Sequence, residues 1–292
     1  GFIKFLMALL FLPNLLIHPF IFQYFPLNIF RIFVTRFAHF IQGHILLFLA
    51  GNYYIKVTPS PLINKMVQKE KWRKPTHGDV IISPLHSFLD LIWFSARLSP
   101  TYLIPCVNEP EFAISYSLFP LMIKLLLCKG NLQEESFFGH KVNISEFVKN
   151  SKENKRFPVV IFPEAAQTNG TGILKYQPLE FKLPQDSHIQ ILGFKREFSG
   201  ISPNRATPNQ PSMFPYLFQI FGRFYESVTV LVAMEQDVKQ PKDGQVTPQY
   251  MEKVREITGK LLKLPLLSIG AEKHSEYCKE CLQKIGNKTK IE

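Results

Sequence analysis

The stretch DVIISPLHSFLD, residues 79–90, decides how the rest of the chain is read. Asp79-Val-Ile-Ile-Ser83 is a short β-branched run of the kind that forms a buried strand. Pro84 breaks it, and Ser87-Phe-Leu-Asp90 then has the S-x-x-D spacing of a capping box that opens a helix. A strand passing into a helix over 87–97 would thus turn through a segment holding His86 and Asp90. An i, i+4 spacing places these two on one helical face if the helix starts a residue early. An imidazole beside a carboxylate is a common start to a general-base site. An acid in the first turn is equally well explained by the helix dipole.

The same alternation continues outward. YYIKV (53–57), TYLIPCV (101–107), PVVIF (158–162), HIQILGF (188–194) and SVTVLVAM (227–234) read as further strands. Helices are expected near 113–127 and 143–151, and from Thr247 as N-cap with Pro248 at the first helical position. In that last helix Tyr250, Val254, Ile257 and Leu261 share one face. The fold class is therefore α/β, a sheet covered by helices over about residues 51–272. Ligand sites in such sheets gather in turns at the carboxyl ends of strands. Two turns qualify: the one after 79–83, and IFPEAAQTNG after 158–162. Pro, Asn and Gly are ordinary turn formers, but Glu164 directly after an apolar strand needs partners.

Before residue 51 the chain differs. Eleven of the protein's 27 phenylalanines fall in this part, and residues 5–30 carry no charged side chain. Such a run is long enough to cross a bilayer, yet Pro13, Pro19 and Pro26 interrupt it. A kinked hairpin entering and leaving by one face is the expectation, with residues 1–50 as a membrane anchor. A following helical segment draws a polar stripe through Arg31, Thr35, His39 and Gln42. It suits a helix lying in the interface or packed on the hairpin.

The net charge of +11 over 292 residues suits anionic partners. No nucleic-acid-binding pattern is present, so nucleic acid is not expected as a partner. Residues 273–292 form a basic tail. There His274, Cys278 and Cys281 fall short of the four ligands usual in a structural zinc site, and no metal is expected. Cys106 and Cys128 read as buried thiols. Free thiols favour a cytosolic location, where the sequons at Asn143, Asn169 and Asn287 would have no role.

Together the two turns resemble the signature blocks of the glycerolipid (lysophosphatidic acid) acyltransferase superfamily. IISPLHSFLD is similar to the first, N-H-x-x-x-x-D after a strand. Phe162, Pro163, Glu164, Thr168, Asn169 and Gly170 match the third, F-P-E-G-T and its continuation. The T-N-G ending is most like the lysophosphatidylcholine-acyltransferase and ancient-ubiquitous-protein branch, and the likeness runs in order through nearly the whole chain. It departs from the pattern at several points. His86 stands one residue after the family's histidine, which falls on Leu85. Ala165 and Ala166 stand where the family has Gly and Thr. The second block's Arg is missing near His140 and Lys141, and Gly193 is the nearest stand-in for the fourth block's Pro.

The resemblance implies acyl transfer from acyl-CoA to a lysophospholipid, most simply lysophosphatidic acid. His86 would be the base and Asp90 its orienter. Phe162, Pro163, Glu164, Thr168, Asn169 and Gly170 would position the acceptor, with Lys141 or Lys175 in place of the Arg. It requires no bound cofactor, and it places the chain on endoplasmic reticulum or lipid-droplet surfaces with the catalytic domain cytosolic. The altered blocks leave a second reading open, a non-catalytic relative that keeps the fold to bind lipid or recruit partners.

Overall fold

A computed structural model of the chain describes residues 2–8, 10–11, 28–60, 72–127, 132, 139–155, 157–197, 213–223, 225–234, 236–277 and 280. Eight strands form one sheet: β1 (Ile55–Ser60), β2 (Val80–Ile82), β3 (Thr101–Cys106), β4 (Glu109–Tyr116), β5 (His140–Asn143), β6 (Val159–Ile161), β8 (Ile189–Glu197) and β9 (Ser227–Ala233). Their order is β1-β9-β8-β2-β6-β3-β4-β5. The central strands β8, β2, β6 and β3 run parallel, while β9 is antiparallel to β8, and β4 and β5 close the other side as an antiparallel meander. β7 (Phe181–Lys182) and β10 (Gln245–Val246) pair separately. All six strands expected from the sequence form. Residues 113–116, expected as helix, instead belong to β4, which folds back on β3 through Asn108 in the left-handed region.

Helices cover both faces. α1 (Asn28–Leu49), α2 (Phe88–Leu98), α3 (Leu118–Leu127) and α5 (Met213–Phe221) share one core with Ile81, Val160 and Tyr102. α4 (Ile144–Glu153) and α6 (Pro248–Leu262) share the other, with Val80, Ile82, Val159 and Leu103. The alternation of Val80, Ile81 and Ile82 between the two cores is the period-2 pattern of a strand buried on both sides. α2 is buried nearly all round, because it lies between the sheet and α1. The contact with α1 is close: a Cβ on Gly43 would come within 2.7 Å of Ala96 Cβ.

At the amino end of β2, Asp79 ties the approaching loop to the sheet. Its Oδ2 accepts from the Thr76 N–H at 2.7 Å, and its Oδ1 from the His188 N–H at 2.9 Å.

The expected N-terminal hairpin falls largely outside the described residues. Among those described, 2–8 and 10–11 are helical, and no helix is long and apolar enough to cross a membrane.

Candidate active site

The sequence of β2 ends in a turn that the capping box makes rigid. Ser87 is extended (φ −147°, ψ 153°) and its hydroxyl accepts from the Leu89 N–H at 3.2 Å. Asp90 Oδ2 reaches back to accept from the Ser87 N–H at 2.9 Å and the His86 N–H at 3.2 Å. Its other oxygen accepts from Arg196 Nη2 at 2.5 Å, both side chains being buried. Arg196 in turn faces Glu226, 3.5 Å from Nη1. The His86 ring makes no hydrogen bond to Asp90. The expected ring–carboxylate contact is replaced by a backbone–carboxylate contact, because the capping box claims Asp90 for the turn itself.

β6 lies beside β2 in parallel register, Ile82 against Ile161, so its turn emerges at the same end of the sheet. Phe162 C=O accepts from the Ala165 N–H at 3.1 Å, closing a turn in which Pro163 occupies the second position. Ala165 is left-handed (φ +51°), the conformation for which glycine is the usual residue. The chain then crosses under the first turn. Thr168 N–H donates to Leu85 C=O and Gln167 Nε2 to His86 C=O, both at 3.2 Å. Gly170 (φ +72°) ends the crossing beside the imidazole, where a Cβ would stand 3.5 Å from His86 Nδ1.

His86 is 6% exposed. Burial pulls its pKa below 6.5; the Asp90 charge opposes this, Arg196 adds to it, and the Phe194 backbone opposes it again. The net effect is a neutral imidazole at pH 7. Its Nε2 is buried without a partner. Glu164 is fully buried, and burial raises its pKa to about 8 against the pull of the Leu174 N–H, the Arg255 charge and the Leu85 backbone. Oε1 accepts from the Leu174 N–H at 2.7 Å, while Oε2 makes no hydrogen bond. Glu164 is therefore mostly a neutral acid at pH 7 and can donate. Gln167 Oε1 and Thr168 Oγ1 are likewise buried and unbonded.

The remaining candidates divide. Phe162 is core: its ring stacks on Tyr102 (centroids 5.9 Å apart) and meets Phe94 edge-on. Pro163 is buried and its carbonyl accepts from the Gln177 N–H. Asn169 is exposed, and its Oδ1 accepts from the Thr171 N–H and hydroxyl, an Asx turn that shapes the loop. Lys141 sits on β5, three strands from β6 or ~14 Å at the usual strand spacing, ion-paired with Glu109. Gly193 lies inside β8 against Leu262, so it serves helix packing.

Three residues at this site carry no local sequence signal. Arg196 and Phe194 reach it from β8, which pairs with β2 from the side opposite β6. Arg255 holds the strand-like segment that supplies the Leu174 N–H. Its Nε donates to Leu174 C=O at 2.9 Å, and it also bonds Leu267 C=O and Glu252. Among the described residues no cluster of His, Cys, Asp and Glu is placed to hold a metal. Cys128, Cys278 and Cys281 lie outside them, and Cys106 is half-buried.

Comparison of the chain with protein-family models, with curated proteins and with solved structures found no match.

Proposed function

We propose that the protein is an acyl-CoA-dependent acyltransferase that esterifies the free hydroxyl of a lysophospholipid, with lysophosphatidic acid the acceptor and phosphatidic acid the product. The observation that carries this reading is the convergence, at one end of β2 and β6, of a neutral histidine with an unbonded Nε2 and a neutral carboxyl with an unbonded Oε2. A buried polar atom left without a partner carries a cost that a ligand's polar group can relieve, and these two lie with Gln167 Oε1 and Thr168 Oγ1 on the same pair of turns. Two on facing turns mark a place that a polar ligand completes.

In the reaction, His86 Nε2 takes the acceptor's hydroxyl proton while that oxygen attacks the thioester carbonyl. The tetrahedral adduct collapses to the ester, and the departing CoA sulfur takes the proton back from the imidazolium. The Phe194 backbone favours the charged ring, so it would support the imidazolium as it forms. Asp90 acts on the turn rather than on the ring, and its charge still favours the imidazolium. Glu164 Oε2–H and the Thr168 hydroxyl are the donors that would hold the acceptor's oxygens. The lipid substrate would be met at an endoplasmic reticulum or droplet surface.

A second reading, a non-catalytic lipid-binding relative, is favoured by one observation: Asp90 is bound to Arg196 and not to the histidine ring. The test is transfer from radiolabelled oleoyl-CoA to lysophosphatidic acid by membranes carrying the wild type or His86→Ala at equal abundance. Transfer lost in the variant supports the enzyme. Equal transfer in both removes His86 from the chemistry, and no transfer to any lysophospholipid by the wild type favours the second reading.

A further inference from the structure

We infer that residues 264–271, the segment that follows α6, form a strap that positions Glu164, so that a stretch touching no substrate belongs to the acceptor site. The inference rests on the proposed function only in giving Glu164 an acceptor to hold.

The first ground is the direction of backbone groups. Ile173 pairs with Leu266 in parallel, so the segment around Leu174 and the strap run side by side like two strands. Ile173 N–H donates to Pro265 C=O at 2.9 Å, Leu267 N–H to Ile173 C=O at 2.8 Å, and Lys175 N–H to Ile269 C=O at 2.9 Å. In an extended segment the N–H and C=O of one residue point to one side, and those of the next residue to the other. Ile173 and Lys175 turn toward the strap, which leaves Leu174 facing away from it. There Leu174 N–H donates to Glu164 Oε1 at 2.7 Å, and Leu174 C=O accepts from Arg255 Nε at 2.9 Å. The ladder on one side of residue 174 thus aims the donor that holds the carboxyl on the other.

The second ground is how the strap is fastened. Arg255, 6% exposed, joins the two segments, since its guanidinium also donates to Leu267 C=O. A Cβ on Gly172 would stand 2.9 Å from Leu267 Cδ1, so the segments touch without room for a side chain. Ala271 and Leu174 cluster with Ala166, two residues after Glu164 on the second turn. The strap therefore reaches Glu164 twice, through the Leu174 N–H and through the turn that carries the carboxyl.

Composition assigns the role. The strap reads Leu264-Pro-Leu-Leu-Ser-Ile-Gly-Ala271 and has no ionisable side chain, so it brings no acid or base of its own. Nor is it chiefly a lid over the core, because Leu266 is 42% exposed. What it gives the site is a row of backbone groups in fixed places, and Glu164 is the group they place.

The test uses Gly172→Val, which sets a branched side chain against Leu267, and Gly172→Val/Leu267→Ala, which makes room for it. Gly172→Ala takes the place of the valine variant if that one fails to fold. In the full chain in detergent, hydrogen exchange over 171–175 should quicken in the first variant and slow again in the second. The KM for lysophosphatidic acid should rise on the order of tenfold, the size of one lost hydrogen bond, with kcat within about twofold. The added Leu267→Ala should bring KM back. In a Glu164→Met background Gly172→Val should raise KM no further, because the strap acts through the carboxyl. The same cycle read by urea unfolding should show the two substitutions costing less together than the sum of their separate costs. Unchanged exchange over 171–175, an equal rise in KM with and without the carboxyl, or additive costs in unfolding would overturn the inference. If the wild type transfers to no acceptor, the catalytic reading fails, and exchange and the unfolding cycle decide the strap by themselves.

Discussion

Replacing Glu164 by Gln should change how stability depends on pH, and the structure gives the size of the change. The Glu164 carboxyl is fully buried and its pKa is raised from 4.5 to about 8. Between those values the folded state holds a proton that the unfolded chain has released, so wild-type stability falls as pH rises through the window. The slope for one such group is about 1.4 kcal/mol per pH unit. From pH 5 to pH 7.5 the wild type should lose on the order of 3 kcal/mol relative to Glu164→Gln, which cannot ionise. Gln keeps an oxygen for the Leu174 N–H and supplies an N–H where the neutral acid has its O–H. The assay is urea unfolding of both proteins in the same detergent at half-unit pH steps. A difference in unfolding free energy that stays flat across this range would refute the raised pKa and, with it, Glu164 as a hydrogen-bond donor at neutral pH.

Three further outcomes follow from the same geometry. Ala165→Gly should stabilise the protein by about 1 kcal/mol in the same unfolding assay, since Ala165 holds a left-handed conformation that costs an L-residue about that much. The acid limb of the transfer rate should lie below pH 6.5, because burial lowers the His86 pKa, and a limb at 6.5 or above would contradict that. An alkaline fall near pH 8 should accompany loss of the Glu164 proton, and it should vanish in Glu164→Gln if that variant retains activity.

The strands were legible because each is a short β-branched run with one destination per side, and Val80, Ile81 and Ile82 show it at single-residue scale. β4 was not. Its pairing depends on β3 and on a reversal at Asn108, while Phe112 to Leu127 reads locally as one apolar segment. In α6 the expected face, Tyr250, Val254, Ile257 and Leu261, is only part of the buried one. Met251, Arg255, Thr258 and Leu262 are also buried, because Arg255 satisfies carbonyls that no local pattern reveals. In α1 the stripe was visible, but periodicity does not say which side faces the protein. At the site, the meeting of the two turns follows from parallel β2 and β6. The arrival of Arg196 beside Asp90 depends on the register of β8, 106 residues away in sequence.

That arrival decides what the one-residue displacement of the histidine means. Leu85, where the resembled family has its histidine, points into the core shared by α1 and α2, and its carbonyl holds Thr168. Position 86 faces the other way, onto Gly170 and the crossing turn. The displacement therefore brings the ring to the second turn while taking it from the carboxylate, and Asp90 is left with a turn to cap and an arginine to neutralise. If so, Asp90→Asn should act first on stability. It leaves Arg196 buried with a weakened partner set, a loss of the kind that costs about 3–5 kcal/mol. The double variant Asp90→Asn/Arg196→Gln removes both charges and should recover part of that loss, leaving Glu226 to pair with Arg223. Transfer rates in the folded double variant then separate the roles. Activity within about tenfold of wild type fits a ring that needs no carboxylate to orient it. A drop of about 10⁴-fold, the size seen when a triad carboxylate becomes an amide, would mean that the carboxylate orients the ring during turnover, and the turn-capping role of Asp90 would not be its only one.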